Sequence, residues 1–126
     1  MNIPSILKYV ESHEWVRADN GEIITVGITD FAQHQLGELV YIELPELGRV
    51  CEKGEEVAVV ESTKSAGDIY APVSGEIVDV NEDLPDDPAK VNASPFEDGW
   101  LFRIKISDAS ELDGLLDSAA YEATIS

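Results

Sequence analysis

The stretch VVESTKSAGDIYAPVSGEIVDV, residues 59–80, decides the fold. It opens on an apolar run, closes on an alternating one, and holds a single cation, Lys64, at the tip between the two limbs. Lys64 is the only basic residue between Lys53 and Lys90, and Glu61 and Asp68 flank it. Pro72 and Gly75 enclose a turn that sends the chain back as a further strand over residues 76–80. An isolated lysine mounted this way is either an ordinary solvated tip residue or the group the fold exists to present.

Outward from this hairpin the pattern is mostly of period two, cut by turn signals. Residues 14–18 and 22–28 flank Asp19-Asn20-Gly21, and Asn-Gly between strand-like runs predicts a hairpin. Thr29 as N-cap, Asp30 in the first turn and Gly37 as the stop predict a short helix. Val40, Ile42 and Leu44 mark another strand, ended at Pro45. Residues 57–60 are continuously apolar, as expected of a strand covered on both faces. Residues 81–95, with three prolines and four acids, read as a surface loop. Trp100, Phe102, Ile104 and Ile106 alternate with Leu101, Arg103 and Lys105 in a final strand. Beyond it, Ser110-Glu-Leu-Asp113 resembles a capping box opening a helix with Leu112, Leu115 and Leu116 on one side, and a second helix is expected over 119–123. The expectation is one mainly β domain of seven or more short strands, a sandwich or flattened barrel, with a short internal helix and a C-terminal helical cap.

Composition narrows the function. A chain of 126 residues is long enough to bury a core without staples. Twenty-six acidic against eight basic residues give a formal net charge of −18. Such a body repels phosphate backbones and anionic lipid, which argues against nucleic acid and membrane partners and for basic protein faces. Cys51 is the only cysteine, so an internal disulfide is impossible, and its expected role is that of a small buried hydrophobe. No apolar run has the length of a membrane span, and neither a signal-peptide layout nor an Arg-rich transit segment is visible. The expectation is a cytoplasmic monomer, a mature mitochondrial form looking the same.

Enzyme readings find little support. His13 and His34 are the only imidazoles, and no nucleophile elbow, phosphate loop, dinucleotide fingerprint or zinc-protease motif occurs. A lysine that acts as a nucleophile needs burial or neighbouring cations to lose its proton. Carboxylates alongside favour the charged form, and an ordinary lysine is neutral in roughly one molecule in 2,500 at pH 7. If Lys64 reacts, another enzyme must bring an activated acyl group and remove the proton. Its position points to a modification site.

The segment ESTKSAGDIYAPVSGEIVDVN resembles the lysine hairpin of lipoyl and biotinyl carrier domains. SHEWVR, VGITDFAQHQLGELVYIELPELG and SPFEDGWLFRIKISDASELDGLL extend the likeness, in order, to the glycine cleavage system H-protein family over about residues 8–123. Thr63 and Ser65 stand where a biotin carrier typically has methionines, which favours lipoate. The resemblance implies a barrel-sandwich hybrid fold with lipoate in amide linkage to Lys64, and a carrier with no catalytic activity of its own. It implies partners as well: a pyridoxal-phosphate glycine decarboxylase, a tetrahydrofolate-dependent aminomethyltransferase, a flavin dihydrolipoamide dehydrogenase, and the enzymes that attach lipoate. The carrier then shuttles an aminomethyl group among them. By the same resemblance Ser12, Glu14 and Asp68 line a cleft into which the arm folds; on residue type alone Ser12 and Glu14 read as a solvated strand start.

Two departures from the family pattern stand beside the hairpin. Ser65 follows the lysine where alanine is common, and Gly67 stands where serine is common. Gly67 is expected to loosen the descending limb or permit a bulge, and it lacks a hydroxyl for the cleft. Two other readings compete: a related carrier serving lipoate relay or another oxidation pathway, and an acidic β-sandwich interaction module in which Lys64 stays unmodified.

Overall fold

Residues 2–125 are described by a computed structural model, which arranges nine strands, among those residues, into two antiparallel sheets. The larger sheet runs in the order β1 (Lys8–Tyr9), β2 (Glu14–Asn20), β3 (Ile23–Ile28), β9 (Phe102–Ile106), β8 (Gly75–Val80), β5 (Val50–Cys51). The smaller runs β4 (Leu39–Glu43), β6 (Glu56–Ser62), β7 (Ala66–Tyr70). The mainly β sandwich therefore holds, but the sheets do not close on each other into a barrel.

Alternation explains which faces meet. Val16, Ile24, Val26, Ile77 and Ile104 of the larger sheet share one buried apolar cluster with Leu39, Ile42, Val60 and Ile69 of the smaller. Fully burying each such side chain stabilises by about 1.5–3 kcal/mol. Trp15, one residue out of phase with Val16, joins Leu7, Tyr9 and Tyr121 in a second cluster. Its ring lies over Gly27, its cross-strand partner, where an added Cβ would stand 2.5 Å from the indole. A C-terminal helix, α3 (Ser118–Ile125), covers this cluster through Tyr121, which stacks on Tyr9 at 4.7 Å between centroids.

The short internal helix, α1 (Asp30–Leu36), forms where its caps predict: Thr29 accepts from the Ala32 N–H and Gly37 ends it at φ +85°. Several expectations are corrected. A register shift between Leu39 and Tyr41 breaks the alternation read for β4, so Ile42 and Leu39 turn inward while Val40 stays exposed. Another shift, between Glu56 and Ala58, explains the apolar run of β6 without covering it on both sides: Val57 and Ala58 both turn inward, and Val59 remains half-buried. The acidic loop contains one short helix, α2 (Ala89–Ala93).

The expected capping box at Ser110 is not formed. Asp108 is the cap, accepting from the Ser110 N–H at 3.0 Å and its hydroxyl at 2.6 Å, and a 3-10 helix follows over Ala109–Gly114. With its hydroxyl proton given to Asp108, Ser110 serves as a donor there. Glu111 from this helix accepts from the backbone N–H and hydroxyl of Ser74, fastening the turn after β7. Gly67 pairs with Val60 in regular register, so no bulge forms at that position.

Candidate functional site

The β6–β7 hairpin presents Lys64 on a turn that its own hydroxyls organise. The Ser62 hydroxyl oxygen accepts from the backbone N–H of Lys64 at 3.2 Å and of Ser65 at 3.0 Å, while the Ser62 N–H donates to the Ser65 carbonyl at 2.7 Å. The tip is thus exposed but conformationally defined. The Lys64 stem lies against the end of α1, where a Cβ added to Gly37 would meet Lys64 Cε at 3.1 Å. Glycine serves twice here, permitting the left-handed backbone and leaving room for the stem.

A groove of about 190 Å³ lies between α1 and β7, and Leu36, which lines it, is the neighbour of the Gly37 that the Lys64 stem touches. Ile28, Phe31, Leu36 and Val60 give it an apolar floor, and Ser12 and Asp68 give it polar edges. Gly67 also lines it; a Cβ there would sit 3.6 Å from Leu36 and 3.7 Å from Val60, ordinary contact distances. The one position lacking a side chain therefore widens the groove without being sterically required.

Glu14 is placed differently from Ser12 and Asp68. Its side chain is fully buried behind the groove wall rather than on it. One carboxylate oxygen accepts from the Ser12 hydroxyl and the other from the Tyr70 N–H at 3.0 Å, so Glu14 ties the start of β2 to the end of β7. Burial raises its pKa from the usual 4.5 to about 7, against the lowering effect of those hydrogen bonds. Because the Ser12 hydroxyl donates to Glu14, its oxygen lone pairs remain for a donor arriving in the groove. Glu14 acts on the groove through Ser12.

His13 was the residue that spacing did not reveal. It lines the groove and is, among the described residues, the only non-glycine residue at positive φ, +77°. Its ring packs on Phe31 at 4.8 Å, and Nδ1 lies 2.9 Å from the Tyr121 hydroxyl. Burial lowers its pKa. The signal in the sequence was a histidine in the turn position of a tight hairpin, where glycine or asparagine is usual. His34, by contrast, points outward and pairs with Asp30 at 3.4 Å.

A larger groove, about 370 Å³, lies at the far end of β6 between Glu43, Arg49 and Glu56. Arg49 is committed there to the Glu55 carboxylate and the Glu56 carbonyl, both at 3.0 Å, and no attachment residue is present. Among the described residues no His, Cys, Asp and Glu cluster fits a metal ion, and no helix is long and apolar enough to cross a membrane.

An exposed lysine on a defined hairpin, beside a groove apolar below and polar at its rim, is the architecture of a protein that carries a group on a lysine arm. Comparison with known proteins gives the particular family. The sequence pattern described as glycine cleavage H-protein matches residues 7–126. A glycine cleavage system H protein of Pseudoalteromonas translucida is 58% identical, over 98% of this chain and 96% of its own length. One from Marinobacter nauticus is 56% identical, over 94% and 92%. The crystal structure of the glycine cleavage system H protein from Mycobacterium marinum superposes with a TM-score of 0.88 at 37% identity, covering 98% of each chain. This chain belongs to the glycine cleavage H-protein family.

Proposed function

We propose that Lys64 bears lipoate in amide linkage and that the chain carries the aminomethyl group of glycine between the enzymes of glycine cleavage, without being an enzyme itself. Family membership supports the lipoyl carrier role over lipoate relay and over an unmodified interaction module. The observation that carries the site assignment is that the Lys64 stem rests against Gly37, the neighbour of Leu36 in a groove whose lining suits such an arm, apolar below and polar at its edge.

Lipoate, when attached, supplies a disulfide that can be opened and re-formed. The chain supplies the rest. The Ser62 turn fixes the backbone that carries Lys64, limiting how much of the hairpin must be ordered at each partner. Tethering raises the effective concentration of the cargo at each enzyme. Ile28, Phe31 and Leu36 give a docked arm an apolar bed that sheds water as it is covered, while Ser12 and Asp68 offer lone pairs to an ammonium group. Glu14 orients the Ser12 hydroxyl, and a cation in the groove would favour its ionised form.

The partners under this reading are glycine decarboxylase, the aminomethyltransferase and dihydrolipoamide dehydrogenase, and the acidic surface suits basic docking faces on them. Reconstitution tests it. The lipoylated chain, mixed with those three enzymes, tetrahydrofolate and a nicotinamide oxidant to take the two electrons from the reduced arm, should support ammonia release from glycine in proportion to its concentration. No release above that of the enzymes alone would defeat the reading.

A further inference from the structure

The last eight described residues are tied to the groove by one phenol oxygen. The Tyr121 hydroxyl, buried under α3, lies 2.9 Å from His13 Nδ1 and 2.7 Å from the Thr29 hydroxyl. Thr29 is the N-cap of α1, the helix that provides Phe31, Ala32 and Leu36 to the groove. His13 belongs to the turn joining β1 to β2 and lines the groove beside the start of that helix, its carbonyl accepting from the Thr29 N–H and its ring resting on Phe31. Two elements that line one groove, the β1–β2 turn and α1, are therefore pinned at the same atom of a third.

The backbone at His13 makes the arrangement more than incidental packing. Its N–H donates to the Val10 carbonyl and its carbonyl accepts from the Thr29 N–H, which fixes the residue at φ +77°. A side chain in that region costs roughly 1–2 kcal/mol that glycine would not incur. Such strain concentrates where geometry serves function. What the imidazole contributes is visible: ring contact with Phe31, a hydrogen bond to Tyr121, and a second ring nitrogen, Nε2, without a protein partner among the described residues. The Thr29–Tyr121 hydrogen bond can run in either direction. With Tyr121 donating to Thr29, His13 donates from Nδ1 and Nε2 becomes an acceptor. With Thr29 donating to Tyr121, the phenol donates to Nδ1 and Nε2 carries the proton.

We propose that His13 is a positioning residue for the lipoyl arm, clasped by Tyr121 so that its ring sets the groove's width and offers Nε2 to the end of the arm as acceptor or donor. This rests on the carrier reading of Lys64. The C-terminal helix is then part of the arm site rather than a remote cap.

The test uses full-length protein in three forms: unmodified, lipoylated, and loaded from glycine by glycine decarboxylase. Wild type, Tyr121→Phe and His13→Asn are compared by intact mass, by 15N signals of the His13 ring, and by the rate at which the isolated loaded protein loses its cargo. Phenylalanine keeps the stack on Tyr9 and removes only the hydroxyl; asparagine tolerates the left-handed backbone and removes the ring. In wild type the His13 ring signals should move on loading. In Tyr121→Phe that movement should collapse and cargo loss should quicken about fivefold, the ratio matching one neutral hydrogen bond. Ring signals unmoved by loading, or equal rates of loss in wild type and Tyr121→Phe, would overturn the proposal. Should Tyr121→Phe fail to fold, the rate in His13→Asn decides by the same criterion. Wild type with no lipoyl mass on Lys64 would overturn this proposal together with the carrier reading, and the mass spectrum separates that failure from the others.

Discussion

Glu14 makes a measurable prediction because it is a fully buried carboxylate with two hydrogen-bond donors and no cation. Its pKa stands at about 7 in the fold and at the ordinary 4.5 when the chain unfolds. Between those values the folded protein binds the proton and the unfolded chain does not. Stability contributed by the protonated group is thus complete below pH 4.5 and is lost as pH rises through 7. At about 1.4 kcal/mol per pH unit the loss approaches ~3 kcal/mol. His13, with its pKa lowered, titrates in the same region with the opposite sign, so the total slope is not diagnostic. The difference between wild type and Glu14→Gln is. Glutamine can accept from the Tyr70 N–H and donate to the Ser12 oxygen, and it does not titrate. Urea unfolding from pH 4.5 to 8 should therefore show the variant gaining on wild type by ~3 kcal/mol across that range. Allowing ~1 kcal/mol for the second amide proton, it should be about 2 kcal/mol the more stable at pH 8. Parallel stability profiles for the two proteins would refute a buried, proton-binding Glu14.

Three other perturbations have outcomes fixed by the geometry. Lys64→Arg should leave the unfolding midpoint within experimental error, since the side chain is exposed, while lipoyl attachment and glycine-dependent ammonia release fall to background. Gly67→Ser should raise stability by roughly 0.5–1 kcal/mol, because its Cβ meets neighbours at 3.6 Å and the unfolded chain loses glycine's freedom; chemical denaturation reads this, and slower loss of cargo from the loaded protein would report the hydroxyl in the groove. Gly75→Ala should destabilise by at least ~3 kcal/mol or prevent folding, as the new Cβ would stand 2.2 Å from the Lys105 carbonyl oxygen; thermal unfolding or soluble yield decides.

The parts of the fold that could be read from sequence were those carried by local rules. Thr29, Asp30 and Gly37 bound α1 where capping chemistry puts them, and the alternation of Phe102, Ile104 and Ile106 marks β9, which starts at Phe102 rather than at Trp100, Leu101 being buried before the strand begins. Strands β1 and β5, two residues each, are too short for any period and exist only because longer neighbours pair with them. The shift in β4 defeated the alternation read there, and the shift in β6 produced the apolar run read as a strand covered on both faces: at each irregularity adjacent residues turn to the same side. At Ser110 two caps compete within three residues, and the local sequence does not show that the Asp108 carboxylate takes the Ser110 N–H.

The candidate site divides the same way. Lys64 stood out because a lone cation between two strand-like limbs is visible without coordinates. The resemblance that named Ser12, Glu14 and Asp68 did not distinguish the two at the groove's rim from the one buried behind it; that follows from Tyr70 folding back onto β2 across 56 residues. His13 and Tyr121 are 108 residues apart, and only the docking of α3 beneath the β1–β2 turn brings them together.

The central claim is that this fold presents Lys64 for acylation by lipoate. Intact mass and peptide mapping of the protein purified from its own host, grown on glycine, test it most directly. The account predicts one lipoyl addition, confined to the peptide that contains Lys64. A bare Lys64 in cells whose other lipoyl proteins are modified would contradict it.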